Sequence, residues 1–294
     1  MTPIPSNILA YIRRDMRNVP GWLRKGAAEL IAEISCAQTE AGIKGDIYEI
    51  GVYHGKLTIL LALLRSDNER IRVCDVFSDQ KQNVDNSGGS ETTSCSQFIA
   101  NVARYLKEDI PNHRFLIDAA SSLTLSLDKV EKNNRLFSID GSHRDDIVEK
   151  DFRLAISGLS ARGCIIHDDY FNCFWPGVSV AVSKVLLEQK ETVAPFLIGF
   201  NKYFVCRVSE LDWYHKVTES LKVRAKRNGW SVEKSEIFGR SVAIICDKSD
   251  VSYYNFHAEY SLHQKLERVV AVFMGRLGVV AGRARRFLAG LVHG

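Results

Sequence analysis

The sequence predicts a doubly wound α/β fold, a mostly parallel sheet with helices on both of its faces. Short apolar, β-prone runs alternate with segments of helical periodicity, an alternation typical of parallel strands joined by crossover helices. The 294 residues, 46% hydrophobic and 25% charged, also suffice to bury a large core without disulfides or metals. We therefore expect a main domain over residues 43–250, with a helical segment (1–42) before it and a tail (251–294) after it.

Each element follows from its own pattern. Apolar residues recurring every three or four positions predict helices, at 22–41, 56–65, 96–108, 145–159, 178–190 and 210–228. Short apolar runs predict strands, at 46–50, 70–77, 113–119, 133–140 and 163–169, a hairpin over 195–208 around Phe200-Asn201, and a strand pair over 235–248. Ligands in such folds bind outside the carboxyl ends of the strands, so residues just after each strand are candidate site residues.

The composition of the chain limits the classes of function and partner that it can have. A formal charge of +4 gives no general case for a nucleic-acid partner. The seven cysteines are scattered without a CxxC pair, which predicts reduced thiols in a cytoplasmic protein. We expect neither a signal peptide at the N-terminus nor a membrane span, because no apolar window reaches eighteen residues.

The segment 262–294 differs from the rest of the chain. It holds six basic residues against one acid, Glu267, so it carries +5 and leaves the remainder at −1. Apolar residues lie between these charges, a composition typical of segments that lie on an anionic membrane surface. The alternative is a helix that packs on the main domain or on a second subunit, and a homo-oligomer is possible.

The stretch "DIYEIGVYHGKLT" (46–58) predicts a strand, a turn with Gly51 and Gly55, and a helix. Glycine-rich turns of this kind most often bind phosphate, but neither GxxxxGK[ST] nor GxGxxG is present. The pattern is E-x-G-x-x-x-G, and the acid, Glu49, would repel a pyrophosphate but suits a ligand with an ammonium group. Asp75, which ends the second strand, suits a ribose diol. A plain tight turn and a solvated acid are the alternatives.

These residues resemble the class I S-adenosylmethionine-dependent methyltransferases over about residues 40–208. The segments "DVFSDQKQNVDNSG", "LFSIDGSHRDDIVEKDF" and "IIHDDYFNCFWPGV" are similar to a sub-branch with sugar, macrolide-sugar and catechol-type metal-dependent O-methyltransferases. The resemblance implies a Rossmann-like sheet of seven strands and S-adenosylmethionine as cofactor. It implies that the methionine moiety contacts Glu49, Gly51, Val52, Tyr53 and Gly55, the ribose Asp75, and the adenine the region of Asp118 and Ser121.

Three carboxylates form a second candidate site. Asp140 ends the fourth strand, and Asp168 and Asp169 end the fifth. Neighbouring strands lie about 4.8 Å apart, so these carboxylates can converge, and they repel unless a cation lies between them. Hard divalent ions such as Mg²⁺ prefer oxygen ligands. The sequence therefore predicts a metal site of Asp140, Asp168 and Asp169, with helix capping and backbone hydrogen bonds as the alternative.

His143 follows Asp140 by three residues and is the predicted general base for an acceptor hydroxyl. Asp140 is the other candidate base, and we expect His54 and His167 to be structural. The predicted acceptor pocket comprises Tyr170, Trp175, Asn201 and Lys202, for which core packing or a hairpin turn is the alternative. The polar stretch 78–91 is a predicted lid.

The predicted reaction is methyl transfer to a hydroxyl of a sugar or glycan, in a lipid-linked polysaccharide or a glycosylated natural product, with Mg²⁺ assistance. An N-methyltransferase, a small-phenol O-methyltransferase and a catalytically silent membrane-associated partner are the alternatives. A nucleic-acid methyltransferase is disfavoured, because the main domain has no basic stripe and no N/D-P-P-Y/F motif. We expect a cytoplasmic protein, with peripheral attachment at the inner face of the membrane as an option.

Overall fold

The structure is a computed structural model that describes residues 3–79, 93–126 and 130–247. Most of the predicted lid and all of the predicted tail lie outside the described residues. No helix in the described ranges is long and apolar enough to cross a membrane.

The described residues contain a nine-stranded sheet, in the order β3-β2-β1-β4-β5-β7-β6-β9-β8. The strands are β1 Asp46–Ile50, β2 Ile71–Asp75, β3 Phe115–Ala119, β4 Asn134–Ile139, β5 Leu159–His167, β6 Val193–Gly199, β7 Lys202–Arg207, β8 Ser231–Ile237 and β9 Arg240–Cys246. Strands β1 to β5 pair in parallel, whereas β7 lies antiparallel between β5 and β6. The resemblance implied seven strands; the β8–β9 hairpin, whose β9 pairs in parallel with β6, extends that sheet.

Helices cover both faces of the sheet, as predicted. Their bounds are α1 Ser6–Ala10, α2 Lys25–Glu40, α3 Lys56–Leu63, α4 Cys95–Leu106, α5 Asp145–Gly158, α6 Pro176–Glu188 and α7 Leu211–Arg227. One core cluster contains buried residues of α1, α2, α3, α4 and α7, and the other contains those of α5 and α6. Side chains of β1 alternate between the two faces of the sheet and contribute to both clusters: Ile47 belongs to the first, and Tyr48 and Ile50 belong to the second.

The register brings the predicted site residues to one edge of the sheet. Glu49 on β1 pairs with Ser138 on β4, and Ser138 pairs with Ile166 on β5. Strand β7 runs the other way, so its first residue, Lys202, lies beside the end of β5, where His167 pairs with Tyr203. This carboxyl edge is called the catalytic rim below.

Candidate active site

Both glycines of the turn after β1 adopt left-handed backbone conformations, with φ of +82° at Gly51 and +85° at Gly55. A Cβ atom on Gly51 would lie 1.9 Å from the carbonyl oxygen of Asp140. A Cβ on Gly55 would lie 2.8 Å from Val102 Cγ2 on α4. The sequence suggested glycines that let a ligand approach; the structure shows that the chain itself already requires both.

Asp75 fixes the shape of the same turn. Its Oδ2 accepts hydrogen bonds from the backbone N–H groups of Val52 at 2.7 Å and Tyr53 at 3.1 Å, and its Oδ1 accepts one from Phe77 at 2.7 Å. Tyr53 adopts a positive φ of 49°, an uncommon conformation that these contacts hold in place. Since a carboxylate has about four acceptor positions, Asp75 retains capacity for a hydroxyl of a ligand.

Glu49 is a buried acid at the end of β1, with 1% of its surface exposed. Within the described ranges, its Oε2 atom has no hydrogen-bond partner. Burial raises the pKa of this carboxyl to about 8. A buried, unsatisfied carboxylate is costly, so a ligand that brings a positive charge to it would be stabilised.

On the predicted adenine side, Asp118 forms an ion pair with Arg72 at 3.1 Å and lies 3.4 Å from the hydroxyl of Tyr48. Ser121 caps a short helical turn, because its Oγ accepts a hydrogen bond from the Leu123 N–H at 3.3 Å. Both side chains therefore have protein partners.

Asp151 on α5 was not predicted as a site residue. It is fully buried and accepts a hydrogen bond from Ser122 Oγ at 2.9 Å, which ties the loop after β3 to α5. Burial raises the pKa of this carboxyl to about 7.

At the other end of the rim, Asp140, His143 and Asp169 bring potential ligand atoms within 4.8 Å of one another. His143 Nε2 lies 3.1 Å from Asp169 Oδ2, and its ring stacks on Trp175 with centroids 4.1 Å apart. The tip of β4 is also joined to β1, because the Asp140 N–H donates to the Ile50 carbonyl at 2.8 Å. Asp169 and Trp175 thus hold the His143 ring from two sides.

Asp169 has a left-handed φ of 58° and accepts hydrogen bonds from Asn172 Nδ2 at 2.9 Å and Asn201 Nδ2 at 2.6 Å. Burial alone would favour its neutral form, but the hydrogen bonds from His143, Asn172 and Asn201 outweigh burial and lower its pKa to about 2. Asp169 is therefore an ionised acceptor that fixes the orientation of His143.

Asp168 points to a different partner. Its Oδ2 forms an ion pair with the ammonium group of Lys202, which is only 3% exposed. Burial opposes the charge of this lysine, but Asp168 and Asp140 outweigh it and raise its pKa above the usual range. The pKa of Asp140 is raised well above its usual range, because burial and the Asp168 carboxylate disfavour its charge.

Tyr170 is the remaining residue of the predicted acceptor pocket. Tyr170 is 8% exposed, stacks on Tyr203 at 4.3 Å and contacts Ser183 Oγ at 2.9 Å, so it belongs to the core rather than to an open pocket. Phe171 and Phe174, which follow it in the chain, are 46% and 81% exposed.

Of the two other histidines, His167 is buried against the edge of Phe152, and burial lowers its pKa to about 3. The carbonyl of His54 accepts a hydrogen bond from Asn101 Nδ2 at 3.1 Å. The contact to His54 involves only its backbone, so the expectation that both histidines are structural stays a prediction.

The comparisons with known proteins agree with this architecture. Residues 48–170 match a family model described as a methyltransferase domain. None of the curated proteins matches the sequence.

Among solved structures, the O-methyltransferase NovP is similar, with 17% identity and a TM-score of 0.50 over 62% of this chain and 80% of that one. The apo structure of CalS11, a TDP-rhamnose 3'-O-methyltransferase, has 16% identity and a TM-score of 0.46 over 71% and 96% of the two chains. The methyltransferase PaMTH1 of Podospora anserina, bound to S-adenosylhomocysteine, has 16% identity and a TM-score of 0.47 over 69% and 88%.

Residues 48–170 therefore match a methyltransferase domain, and the sheet that contains them shares the fold of NovP.

Proposed function

We propose that this enzyme transfers the methyl group of S-adenosylmethionine to a hydroxyl of a sugar or glycan. One observation carries the proposal: the turn after β1 and the Asp140–His143–Asp169 cluster share the catalytic rim, joined by the backbone hydrogen bond from Asp140 to Ile50. A methyl donor and an acceptor held at adjacent strand tips can be aligned for direct displacement, and such alignment supplies much of the rate.

The cofactor half of the rim suits S-adenosylmethionine. The unpartnered Oε2 of Glu49 would bind the methionine ammonium, Gly51 to Gly55 would enclose the methionine, and Asp75 would accept a ribose hydroxyl. Asp118 and Ser121 would border the adenine. When bound, the cofactor supplies an electrophilic methyl group on a sulfonium centre.

The acceptor half suits hydroxyl activation. If His143 Nε2–H donates to Asp169, its Nδ1 carries the lone pair that takes the proton of the acceptor hydroxyl. The ionised Asp169 then stabilises the imidazolium, and the stack on Trp175 limits ring rotation. Asp140 is the second candidate base, because it lies in the same cluster and burial beside Asp168 raises the pKa of its carboxyl.

The exposed aromatic rings support a sugar-type acceptor. Phe171 and Phe174 lie two and five residues after Asp169 and expose 46% and 81% of their surfaces, and apolar ring faces of this kind pack against the C–H faces of a sugar. Asn201, whose amide donates to Asp169, would complete the pocket.

The Mg²⁺ site predicted from the sequence, with Asp140, Asp168 and Asp169 as ligands, fits the contacts of these residues poorly. Asp168 is paired with the ammonium group of Lys202, and Asp169 is bound by one histidine and two asparagines, so protein groups already contact both carboxylates. Asp140, His143 and Asp169 form the nearest alternative ligand set. The proposed reaction contains no step through a metal.

We also propose, from composition alone, that residues 262–294 attach the enzyme to an anionic membrane surface, which would suit a lipid-linked glycan acceptor. Comparing the full chain with a variant lacking these residues on anionic liposomes tests this. Equal partition of the two forms would reject it. A cytoplasmic location and a homo-oligomer stay predictions.

Calorimetry with S-adenosylhomocysteine tests the enzyme proposal first. We expect binding by the wild type and at least about tenfold weaker binding by Glu49→Gln, because one charge-assisted contact is lost. Incubating glycan extracts with labelled S-adenosylmethionine then tests transfer and acceptor class together. Binding without any labelled glycan, but with labelled phenols or amines, would contradict the sugar assignment.

A further inference from the structure

Lys202 is a buried lysine whose position follows from the sheet. Strand β7 runs antiparallel to β5, and pairing of His167 with Tyr203 sets Lys202 beside Asp168 at the rim. The lysine is 3% exposed, and its ammonium forms an ion pair with Asp168 Oδ2. A buried charge pair of this kind persists only when hydrogen bonds satisfy it.

The other oxygen of Asp168 is also engaged. Asp168 Oδ1 accepts hydrogen bonds from the backbone N–H of Asp169 at 2.9 Å and from Asn201 Nδ2 at 3.3 Å. Both oxygens therefore have protein donors, and three of the roughly four acceptor positions of the carboxylate are occupied. The partner on Oδ2 is itself a cation, so a metal there would also face the lysine's charge.

We propose that Lys202 is the fixed cation of the acceptor site, and that it replaces the divalent ion expected from the three carboxylates. Methyl transfer by this enzyme is then independent of metal. The role of Lys202 in methyl transfer rests on the proposed function. Its ion pair with Asp168, and the absence of a divalent ion that this pair implies, do not.

Lys202 acts as a positioning residue through a chain of contacts. It holds Asp168, whose Oδ1 receives the Asp169 N–H while Asp169 adopts its left-handed φ of 58°. That conformation turns the Asp169 carboxylate to His143 Nε2 at 3.1 Å. Loss of the ammonium would leave Asp168 buried beside Asp140 with no counter-charge and would release the strand tip that orients His143.

Titration of the wild type with Mg²⁺ and Mn²⁺ by calorimetry provides the first test, since it needs no variant and no acceptor. We expect no binding, and methyl transfer unchanged by EDTA. Binding of Mg²⁺, together with activity that EDTA abolishes and Mg²⁺ restores, would overturn the proposal.

Lys202→Met provides the second test, with Lys184→Met as its matched control, because Lys184 forms an exposed ion pair with Glu149 at 2.7 Å. We expect kcat to fall by about 100-fold in Lys202→Met, a loss typical of misplaced catalytic groups, with S-adenosylhomocysteine affinity retained. Ethylammonium should restore part of this activity, and Lys184→Met should match the wild type. Wild-type kcat in folded Lys202→Met would overturn the role of the lysine.

The two proposals fail separately. If no acceptor is ever methylated, the proposed function fails, while the metal titration still decides whether the site takes a divalent ion. If methyl transfer proceeds but requires Mg²⁺, the proposed function stands and the inference about Lys202 falls.

Discussion

Gly51 and Asp140 are in backbone contact: a Cβ on the glycine would stand 1.9 Å from the carbonyl oxygen of the aspartate. The cofactor turn and the strand tip that carries Asp140 therefore form one rigid unit. Asp140 in turn begins the loop that leads to His143. The position of the proposed methyl donor and that of the proposed base are thus fixed by the same contact.

Gly51→Ala should destabilise the protein by at least about 3 kcal/mol, since it adds a clash with a backbone atom to the cost of a left-handed residue. Gly42→Ala is the matched control, because Gly42 also has a positive φ (+69°) but nothing within 4 Å of its Cβ position. The control should lose only about 1 kcal/mol. Urea unfolding measures both, and equal losses would contradict the close contact.

Glu49 should make stability depend on pH. Its pKa is raised to about 8 by burial, from 4.5 in the unfolded chain, so the unfolded state loses its proton first as pH rises. The free energy of unfolding should therefore fall with rising pH between about pH 5 and pH 8, by up to about 1.4 kcal/mol per unit from this group.

Glu49→Gln removes this contribution and is its test. Glu33 and Asp151, whose pKa values are raised to about 7, add slopes of the same sign, so the difference between wild type and variant is the informative quantity. The variant should gain stability relative to the wild type as pH rises. Parallel pH profiles of the two proteins would show that Glu49 is ionised in the fold.

Arg135 should be needed for stability. This fully buried residue on β4 makes paired contacts to Glu69 at 2.7 and 2.8 Å and also donates to Ser35 on α2. Arg135→Met leaves the Glu69 carboxylate buried without its partner, which should cost about 3–5 kcal/mol. Arg153→Met, at a partly exposed i,i+4 pair with Glu149, should cost about 1 kcal/mol or less. Similar losses in the two variants would contradict the prediction.

Local pattern was enough to predict most of the fold. Helix periodicity and apolar runs predicted each of the longer elements, with ends that differ by a few residues, because hydrophobic periodicity reflects which face is buried. The residues at the strand ends were likewise identifiable, since parallel strands bring their carboxyl ends to one edge. Gly51 was identified, but the atom that approaches it, the Asp140 carbonyl, was not.

Pairwise side-chain contacts could not be predicted from the sequence. The ion pair of Lys202 with Asp168 depends on the antiparallel register of β7 against β5, which no local pattern encodes. Asp151 lies in an ordinary amphipathic helix, and its hydrogen-bond partner, Ser122, comes from the loop after β3. Tyr170 was placed in the pocket because it follows Asp169, yet the strand end turns its ring into the core.

His143 should be required for turnover but not for cofactor binding. Its Nε2 contact with Asp169 and its stack on Trp175 hold the ring in one orientation, which is what a general base needs. His143→Gln should lower kcat by about 10²- to 10⁴-fold, the range for a lost general base, with the affinity for S-adenosylhomocysteine unchanged. His113→Gln, at an exposed histidine next to β3, is the control and should keep wild-type kcat. Asp140→Asn separates the two candidate bases. If this variant loses turnover while His143→Gln keeps kcat within about threefold of wild type, the base is Asp140 and the role of His143 is refuted.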